Sequence, residues 1–281
     1  MSESPAISSD PVLDAARTYA YDRYLSALLA PPAARDDLIV LAAYLGEIRR
    51  IPLVAHDAAI GEIRLQWWRD ALLSDAASGH PVADAVLDLK RRRSLSADLV
   101  AAPLEGTSRE LYEDGIRDSR ELALYCDETE GAALRLSLSV LGGEGDRGAG
   151  RLVDPAGRAL ALTRLALDLP QHLALGRQVV PADYAGVSHD PRGLGPADAR
   201  AATRVLLGRL GEDAGQALAA FRRGQNEVGK GLFTAFLPVS LVAPYLKSVV
   251  APGRDVLADV ADISPLSRVM RLWFAHWRGR I

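Results

Sequence analysis

The sequence has very few cysteines and lysines and no apolar run that we expect to span a bilayer. Cys126 is the only cysteine among 281 residues, which excludes an intramolecular disulfide and any multi-cysteine metal site. There are three lysines (Lys90, Lys230 and Lys247), so arginine supplies most of the positive charge. The longest uncharged apolar stretch, 232–246, contains two prolines and is shorter than the ~20 residues of a spanning helix. We interpret it as a buried core helix.

Charge and composition describe an ordinary globular protein. Lys and Arg total 33 against 36 Asp and Glu, a formal net charge of −3, so we expect no nucleic-acid partner. The hydrophobic share of 49% excludes wholesale disorder. Residues 1–10 are polar, with neither the basic stretch nor the apolar core of a secretory signal. We predict a disordered tail over 1–10, one helical domain over 11–281, and a cytoplasmic location.

Helical signals recur along the whole chain, whereas alternation of period two is rare. Pro52, Pro170 and Gly142-Gly143 are read as helix ends, and 176–196 as a loop rich in proline and glycine. The sequence predicts an all-α protein, one continuous helical array without linker or internal repeat. Its predicted helices cover 12–29, 33–50, 60–74, 82–92, 96–102, 108–141, 156–169, 197–226, 233–250 and 265–277.

Two stretches contain most of the residues suited to chemistry. In 61–72 (GEIRLQWWRDAL), charged residues lie beside Trp67 and Trp68, and an amphipathic helix with a buried tryptophan explains them. In 168–181 (DLPQHLALGRQVVP), Asp168 ends a helix and Arg177 follows in a loop. That pair suits Mg²⁺ or a diphosphate, or else a helix cap and a surface charge. The five histidines lack zinc-binding spacing.

Several phrases together resemble the squalene/phytoene synthase family. They are YDRYLSALL at 21–29, LAAYLGEIRR at 41–50, GEIRLQWWRDAL, GRALALTRLALDLPQHLALGRQVVP at 157–181, and TAFLPVSLVAPYL at 234–246. The resemblance implies a single all-α, isoprenoid-synthase-like helical domain around a central cavity. Enzymes of the family join two prenyl diphosphates head to head, with Mg²⁺ held by two D-x-x-x-D motifs on facing helices.

This sequence departs from the family pattern at both motifs. Arg49 and Leu53 stand where the first pair of aspartates belongs. In the second motif Asp168 is kept, Gln171 and His172 replace its acidic residues, and Arg164 replaces an upstream asparagine. Further carboxylates without the motif spacing are Asp57, Glu62, Asp114 and Asp127.

Arginines at these places repel cations, so we expect no cofactor and only a remnant metal ligand, Asp168. Guanidinium groups still suit direct contact with phosphate. The candidate diphosphate-binding residues are Arg49, Arg50, Arg64, Arg164 and Arg177.

The missing aspartates, combined with EIRLQWWRDAL, resemble a subgroup of the family that includes a mitochondrial complex I assembly factor. That resemblance implies a catalytically silent protein. Such a protein acts in assembling a respiratory or membrane complex, with one of its subunits as partner, or binds an isoprenoid-like lipid. The alternative is an active head-to-head prenyl transferase using Mg²⁺, with Asp168 and Arg177 as catalytic residues. An unrelated all-α interaction protein is a third hypothesis.

The last predicted helix, within 265–281, carries aromatic and basic residues together. Its Met270, Trp273, Phe274 and Trp277 lie among Arg271, Arg278 and Arg280, as in helices that lie on a membrane surface. This pattern predicts peripheral contact with the inner face of a bacterial cytoplasmic membrane. The alternative is that the aromatic residues pack onto the domain.

Overall fold

The computed structural model describes residues 10–74, 76–181, 184 and 194–281. These described residues form thirteen α-helices and no strand, which confirms the all-α class. The helices are α1 Pro11–Tyr19, α2 Tyr21–Leu28, α3 Pro32–Val54, α4 Ala58–Leu73, α5 Pro81–Arg93, α6 Ala97–Ser108, α7 Ser119–Cys126, α8 Ala132–Val140, α9 Arg147–Ala174, α10 Pro196–Gly224, α11 Lys230–Phe233, α12 Val242–Val249 and α13 Pro265–Arg278.

Part of the predicted tail and part of the predicted 176–196 loop lie outside the described residues. Of the tail, residues 1–9 are not described. The Asp10 carboxylate accepts hydrogen bonds from the backbone N–H groups of Val12 and Leu13 and caps α1. An N-cap side chain satisfies amide groups that the first helical turn leaves without partners.

Proline proved a poor guide to where helices end. Pro52 lies inside α3, and Pro155 and Pro170 lie inside α9, so the predicted ends at Pro52 and Pro170 are wrong. Each internal proline removes one backbone hydrogen bond. Burial of the apolar residues on both sides offsets that loss, because α9 is the central helix of the fold and is packed along most of its length.

Other predicted helices are interrupted. The predicted 12–29 helix is two helices, with a non-helical backbone at Ala20 between α1 and α2. The predicted 108–141 helix is broken after a short 3₁₀ turn, resumes as α7, and contains one π-helical turn at Asp127–Gly131. The predicted 233–250 helix consists of α11, a 3₁₀ segment at Thr234–Leu241, and α12. A π turn inside a helix is frequent at functional sites because it redirects side chains.

The apolar stretch around 232–246 is packed inside the fold. The segment Lys230–Val249 is long and apolar enough to cross a membrane by length and composition, yet 61% of its most apolar window is buried. Every residue from Phe233 to Val242 is buried. This supports its interpretation as a core segment.

Two glycines allow helices to approach closely around the centre of the molecule. A Cβ on Gly46 of α3 would lie 2.8 Å from the Cβ of Tyr19 in α1. A Cβ on Gly157 of α9 would lie 2.9 Å from the backbone nitrogen of Gly131, at the end of the π turn. These contacts hold α1 against α3 and the π turn against α9, on two sides of a central cavity.

Candidate functional site

A cavity of about 250 Å³ lies at the centre of the helical array. Helices α2, α3, α9, α12 and α13 and the π turn contribute to its wall, with apolar residues such as Ile48, Leu160 and Leu167 between the charged ones. The charged residues that line it are Asp22, Arg23, Arg49, Glu130, Arg164 and Arg268. A chamber whose wall combines apolar residues with charged side chains suits a small ligand that has both apolar and charged parts.

Arg49 is paired with the one carboxylate kept from the second family motif. Its Nη2 lies 3.1 Å from Oδ1 and 3.0 Å from Oδ2 of Asp168, and it donates to both oxygens. The Asp168 side chain is 14% exposed, whereas Arg49 is 35% exposed. The ion pair therefore joins α3 to α9 and occupies the oxygens with which Asp168 would bind a cation.

Arg164 lies at the centre of a second, fully buried cluster. Its Nη2 donates to Glu110 Oε1 at 2.7 Å and to the hydroxyl of Tyr125, while His172 Nε2 lies 3.2 Å from Glu110 Oε2. Burial raises the pKa of Glu110, but the Arg164 charge and the His172 imidazole outweigh it and hold that pKa at about 2. Glu110 is therefore ionised and neutralises Arg164 inside the protein.

Glu130 enters the cavity from the π turn. Its carboxylate pairs with Arg23 of α2 and lies 3.8 Å from Nη1 of Arg164. Burial raises its pKa, and the charges of Arg23, Arg164 and Arg49 lower it by more. Glu130 is thus an anion shared among arginines from three helices.

Asp22 closes the cavity on the side of α12 and α13. The Tyr245 hydroxyl donates to Asp22 Oδ2 at 2.7 Å, and Arg268 Nε lies 2.6 Å from Asp22 Oδ1. Burial raises the pKa of Asp22, although Tyr245 and Arg268 oppose it. Arg268 also contacts Asp262 Oδ1 at 2.7 Å, so this arginine too is neutralised.

The segment after Asp168 holds the end of α3. Gln171 Nε2 donates to the carbonyl of Leu53 at 2.8 Å. The Arg177 guanidinium, 3% exposed, donates to the carbonyls of Pro52 and Ala55. The last carbonyls of a helix need partners from outside it, and these two side chains supply them. Arg177 is not among the residues that line the cavity.

Of the five candidate arginines, the structure brings two into the cavity, Arg49 and Arg164. Arg50 and Arg64 line a separate surface groove between α3 and α4, with Trp67, Trp68 and His80. Trp68 is buried as predicted for one tryptophan of this helix, but Trp67 is 41% exposed. The tryptophans therefore do not fill the central cavity.

The residues around the cavity do not fit Mg²⁺, the ion that the family implies. Mg²⁺ needs carboxylates free to converge on it, and the acids near the cavity lie within ion-pair distance of arginines. Across the described ranges, no group of three or more His, Cys, Asp or Glu side chains is arranged to hold a metal. None of the substitute carboxylates proposed from the sequence lines the cavity, namely Asp57, Glu62, Asp114 and Asp127.

The sequence analysis missed several residues that the cavity depends on. Asp22 and Arg23 lie within YDRYLSALL, and Glu130 lies within the acidic run DETEG at 127–131. The sequence carried no clear signal for them, because charged residues in helices usually face solvent. The other missed residues are Glu110, Tyr125, Tyr245 and Arg268.

Residues 16–269 match the model of the squalene/phytoene synthase family. The NADH dehydrogenase (ubiquinone) complex I assembly factor 6 of Bos taurus is 24% identical over 274 residues, covering 95% of this chain and 81% of its own length. The phytoene synthase of Mycobacterium tuberculosis is 29% identical over 170 residues, covering 59% of this chain and 55% of its own length.

The fold has a counterpart among solved structures. The squalene synthase HpnC from Alicyclobacillus acidocaldarius superposes with a TM-score of 0.61 and 19% sequence identity, covering 95% of this chain and 92% of the other. The similarity extends over nearly the whole chain. It confirms the predicted isoprenoid-synthase-like helical array.

Proposed function

The chain belongs to the squalene/phytoene synthase family, and from that premise we propose that it is a catalytically silent member. In this proposal it acts in the assembly of a respiratory complex and holds an isoprenoid-like ligand in its central cavity. It does so in the bacterial cytoplasm, at the inner face of the cytoplasmic membrane.

The observation that carries the proposal is the ion pair between Arg49 and Asp168. Arg49 stands where the family has an aspartate, and it donates to both oxygens of the one motif carboxylate that remains. Ionising a prenyl diphosphate requires positive charge that neutralises the leaving group. Here the positive charges in the cavity are already balanced by Glu110, Glu130, Asp22 and Asp168.

The assembly role is supported by the extent of the match to the assembly factors. Complex I assembly factor 6 of Bos taurus and of Homo sapiens each match 95% of this chain, at 24% and 22% identity. The match to phytoene synthase covers 59%. A partner on a respiratory complex is therefore the partner class that we propose.

The cavity supports the ligand part of the proposal. Its apolar residues suit a hydrocarbon chain, and Arg49 retains an exposed portion at 35%. A guanidinium that is partly exposed can contact a polar head group of the ligand. The ligand is bound without chemical change.

The alternative remains an active prenyl transferase with a divergent, Mg²⁺-dependent site. The relatives that favour it are the phytoene synthase and the presqualene diphosphate synthase of Sinorhizobium fredii, the latter 28% identical over 179 residues. It requires Asp168 and Arg177 to act on substrate. In the structure Asp168 is held by Arg49, and Arg177 is bound to the end of α3.

Diphosphate release separates the two hypotheses. The purified full chain is incubated with farnesyl or geranylgeranyl diphosphate, with and without Mg²⁺, and the extracted lipids are analysed by mass spectrometry. We expect no diphosphate release and no condensed product from protein shown to be folded by circular dichroism. Mg²⁺-dependent turnover that Asp168→Asn abolishes would overturn the proposal and establish the alternative.

The assembly role is tested in the native host. Deletion of the gene is expected to lower the amount of assembled complex I and the NADH-driven reduction of ubiquinone in isolated membranes. Expression of the wild-type chain or of Asp168→Asn restores both, because no catalytic step is needed. Unchanged complex I in the deletion strain would contradict this role.

A further inference from the structure

Helix α13 presents an apolar outer face to solvent. Its outward residues include Leu266, 72% exposed, and Trp277, 65% exposed. The rings of Trp273 and Trp277 stack at 6.3 Å with an interplanar angle of 3°, which makes part of this face flat. The outer face consists of Leu266, Val269, Met270, Trp273, Phe274 and Trp277, each at least 40% exposed.

The opposite face of α13 is fixed to the rest of the protein. Leu272 and Ala275 are buried, and Arg268 contacts Asp22 at 2.6 Å and donates to the Tyr245 hydroxyl at 2.8 Å. Ser264 caps the beginning of the helix, and Gly279, with φ 62°, ends it in the left-handed conformation. The outer face is therefore held outward by an anchored helix and is not a mobile end.

Helix geometry separates the two faces cleanly. At 100° per residue, the six outer residues span about 140° of the helix circumference, on the side opposite Arg268, Leu272 and Ala275. They are distributed from one end of α13 to the other. Such a ridge suits insertion of a whole helix, lying flat, into an interface between water and lipid.

The charges beside the ridge indicate the chemistry of the surface that it meets. Residues 263–281 contain four arginines and no acidic residue, and Arg268 is the one that faces inward. Arg271, Arg278 and Arg280 are exposed, with the first two on one flank of the apolar face. Basic residues beside an inserted apolar face attract anionic lipid phosphates.

We propose that α13 docks this protein on an anionic membrane surface. Its outer face enters the boundary between head groups and acyl chains, and Arg271, Arg278 and Arg280 contact lipid phosphates. This inference deepens the membrane location in the proposed function. Because Arg268 on the inner face of the same helix lines the cavity, docking places the Asp22–Tyr245 side of the cavity next to the bilayer.

Vesicle flotation tests the apolar part of the proposal. The full chain is mixed with vesicles of phosphatidylethanolamine and phosphatidylglycerol, and the bound fraction is measured after centrifugation. We expect Trp273→Gln/Trp277→Gln to lower binding by about tenfold or more, because two interfacial aromatic side chains are lost. The matched control is Ile63→Gln/Leu73→Gln, which changes two side chains of α4 that are 69% and 72% exposed and leaves binding unchanged.

The basic part is tested with the same vesicles and with pure phosphatidylcholine. We expect binding to require the anionic lipid, to weaken with added salt, and to fall several-fold in Arg271→Gln/Arg278→Gln. The control Arg222→Gln/Arg223→Gln removes two exposed arginines of α10 without effect. Equal binding of wild type and Arg271→Gln/Arg278→Gln would contradict the proposed contact between these arginines and lipid phosphates.

A fluorescent label distinguishes a membrane from a protein occupant of this face. Cys126 is buried and its pKa is raised to about 12 by burial, so Met270→Cys provides the reactive thiol for an environment-sensitive dye. We expect the dye to shift to shorter wavelength and to be quenched by brominated lipids. A dye at Gln216→Cys, exposed on α10, shows neither change.

Two further outcomes would overturn the proposal. One is wild-type chain that fails to float with anionic vesicles. The other is a dye at residue 270 that is already shielded without lipid in a dimer seen by analytical ultracentrifugation, which would assign the face to a second copy. Neither outcome affects the diphosphate-release result, so failure of membrane docking is distinguishable from failure of the proposed silent state.

Discussion

Arg49 Nη2 lies within hydrogen-bonding distance of both carboxylate oxygens of Asp168, 3.1 and 3.0 Å away. The bond joins α3 to α9, the helices that carry the two aspartate-rich motifs in related enzymes. An ion pair thus makes the contact between these helices directly. Gln171 and Arg177 add bonds to the carbonyls of Leu53, Pro52 and Ala55, so the segment around the end of α9 also holds the end of α3.

Restoring the first motif should create a response to Mg²⁺ that the wild type lacks. Arg49→Asp/Leu53→Asp places two new carboxylates near Asp168, so their repulsion lowers the melting temperature in metal-free buffer. At about 10 mM Mg²⁺ and a Kd of about 1 mM, binding adds about 1.4 kcal/mol to the free energy of unfolding. Thermal unfolding with and without Mg²⁺ measures this.

The control for that experiment is Arg50→Asp, on the same helix. It changes the charge by two units, as Arg49→Asp does, but Arg50 lines the surface groove and not the central cavity. Its guanidinium carbon lies 4.2 Å from the ring centroid of Tyr19. We expect no stabilisation by Mg²⁺. A wild-type chain that Mg²⁺ stabilises as strongly as the double variant would mean that the ion pair does not prevent metal binding.

Arg177 is expected to matter for stability through the end of α3. Arg177→Met keeps the length of the side chain but leaves the carbonyls of Pro52 and Ala55 without their donor in a buried place. Each unsatisfied buried acceptor costs about 1–3 kcal/mol, so chemical denaturation should show a loss of about 2–6 kcal/mol in the free energy of unfolding.

Two further variants serve as controls for Arg177→Met. Arg64→Met, at an exposed arginine, should change the free energy of unfolding by less than about 0.5 kcal/mol. Arg177→Lys should not restore the wild-type value, because one ammonium group does not match the two carbonyls that the guanidinium fork binds. Full stability in Arg177→Met would contradict the structural role and leave the residue available for a ligand.

The free energy of unfolding should depend on pH because of the buried Glu110. Its pKa is about 2 in the folded protein and close to 4.3 in an unfolded chain. Because the pKa is lower in the folded protein, ionised Glu110 stabilises the folded state. This contribution to the free energy of unfolding is complete above about pH 5 and is lost as the pH falls toward 2. The loss amounts to about 3 kcal/mol.

The comparison of wild type with Glu110→Gln isolates this contribution. At pH 7 the variant should be less stable by about 3–5 kcal/mol, because Arg164 loses its main buried partner. The difference should shrink as urea unfolding is repeated at lower pH. Glu227→Gln, which breaks a pair with Arg151 in which both side chains are more than half exposed, should match wild type throughout. A difference between wild type and Glu110→Gln that is independent of pH would contradict the assignment.

The sequence was sufficient for the fold and for part of the site. Helical composition and the family phrases predicted the all-α array, and the motif positions identified Arg49, Arg164 and Asp168. Their pairing was not predictable, because Arg49 and Asp168 are 119 residues apart and contact depends on how α3 and α9 pack. Arg23 and Glu130 were missed for a related reason, since charged residues in amphipathic helices usually face solvent.

The same limit applies to the exposed apolar residues of α4. Ile60, Ile63 and Trp67 recur at helical spacing, the pattern of a core-facing side, yet they are 49%, 69% and 41% exposed. Trp68, one position along, is buried against the Tyr44 ring at 5.4 Å. Periodicity identifies that a helix has an apolar face, but it does not show whether a neighbouring helix covers that face.

Two glycines of α9 should respond in opposite directions to the same substitution. Gly157→Ala places a Cβ 2.9 Å from the backbone nitrogen of Gly131, and the π turn has to move away, at a cost of about 1–3 kcal/mol. Gly150→Ala meets nothing within 4 Å and should stabilise the helix by about 0.5–1 kcal/mol. Urea unfolding measures both. Because the π turn carries Glu130, Gly157→Ala should also lower the affinity of the cavity for a ligand, whereas Gly150→Ala should leave that affinity unchanged. If the two variants were equally stable, α9 and the π turn would not be in the close contact that positions Glu130 between Arg23 and Arg164.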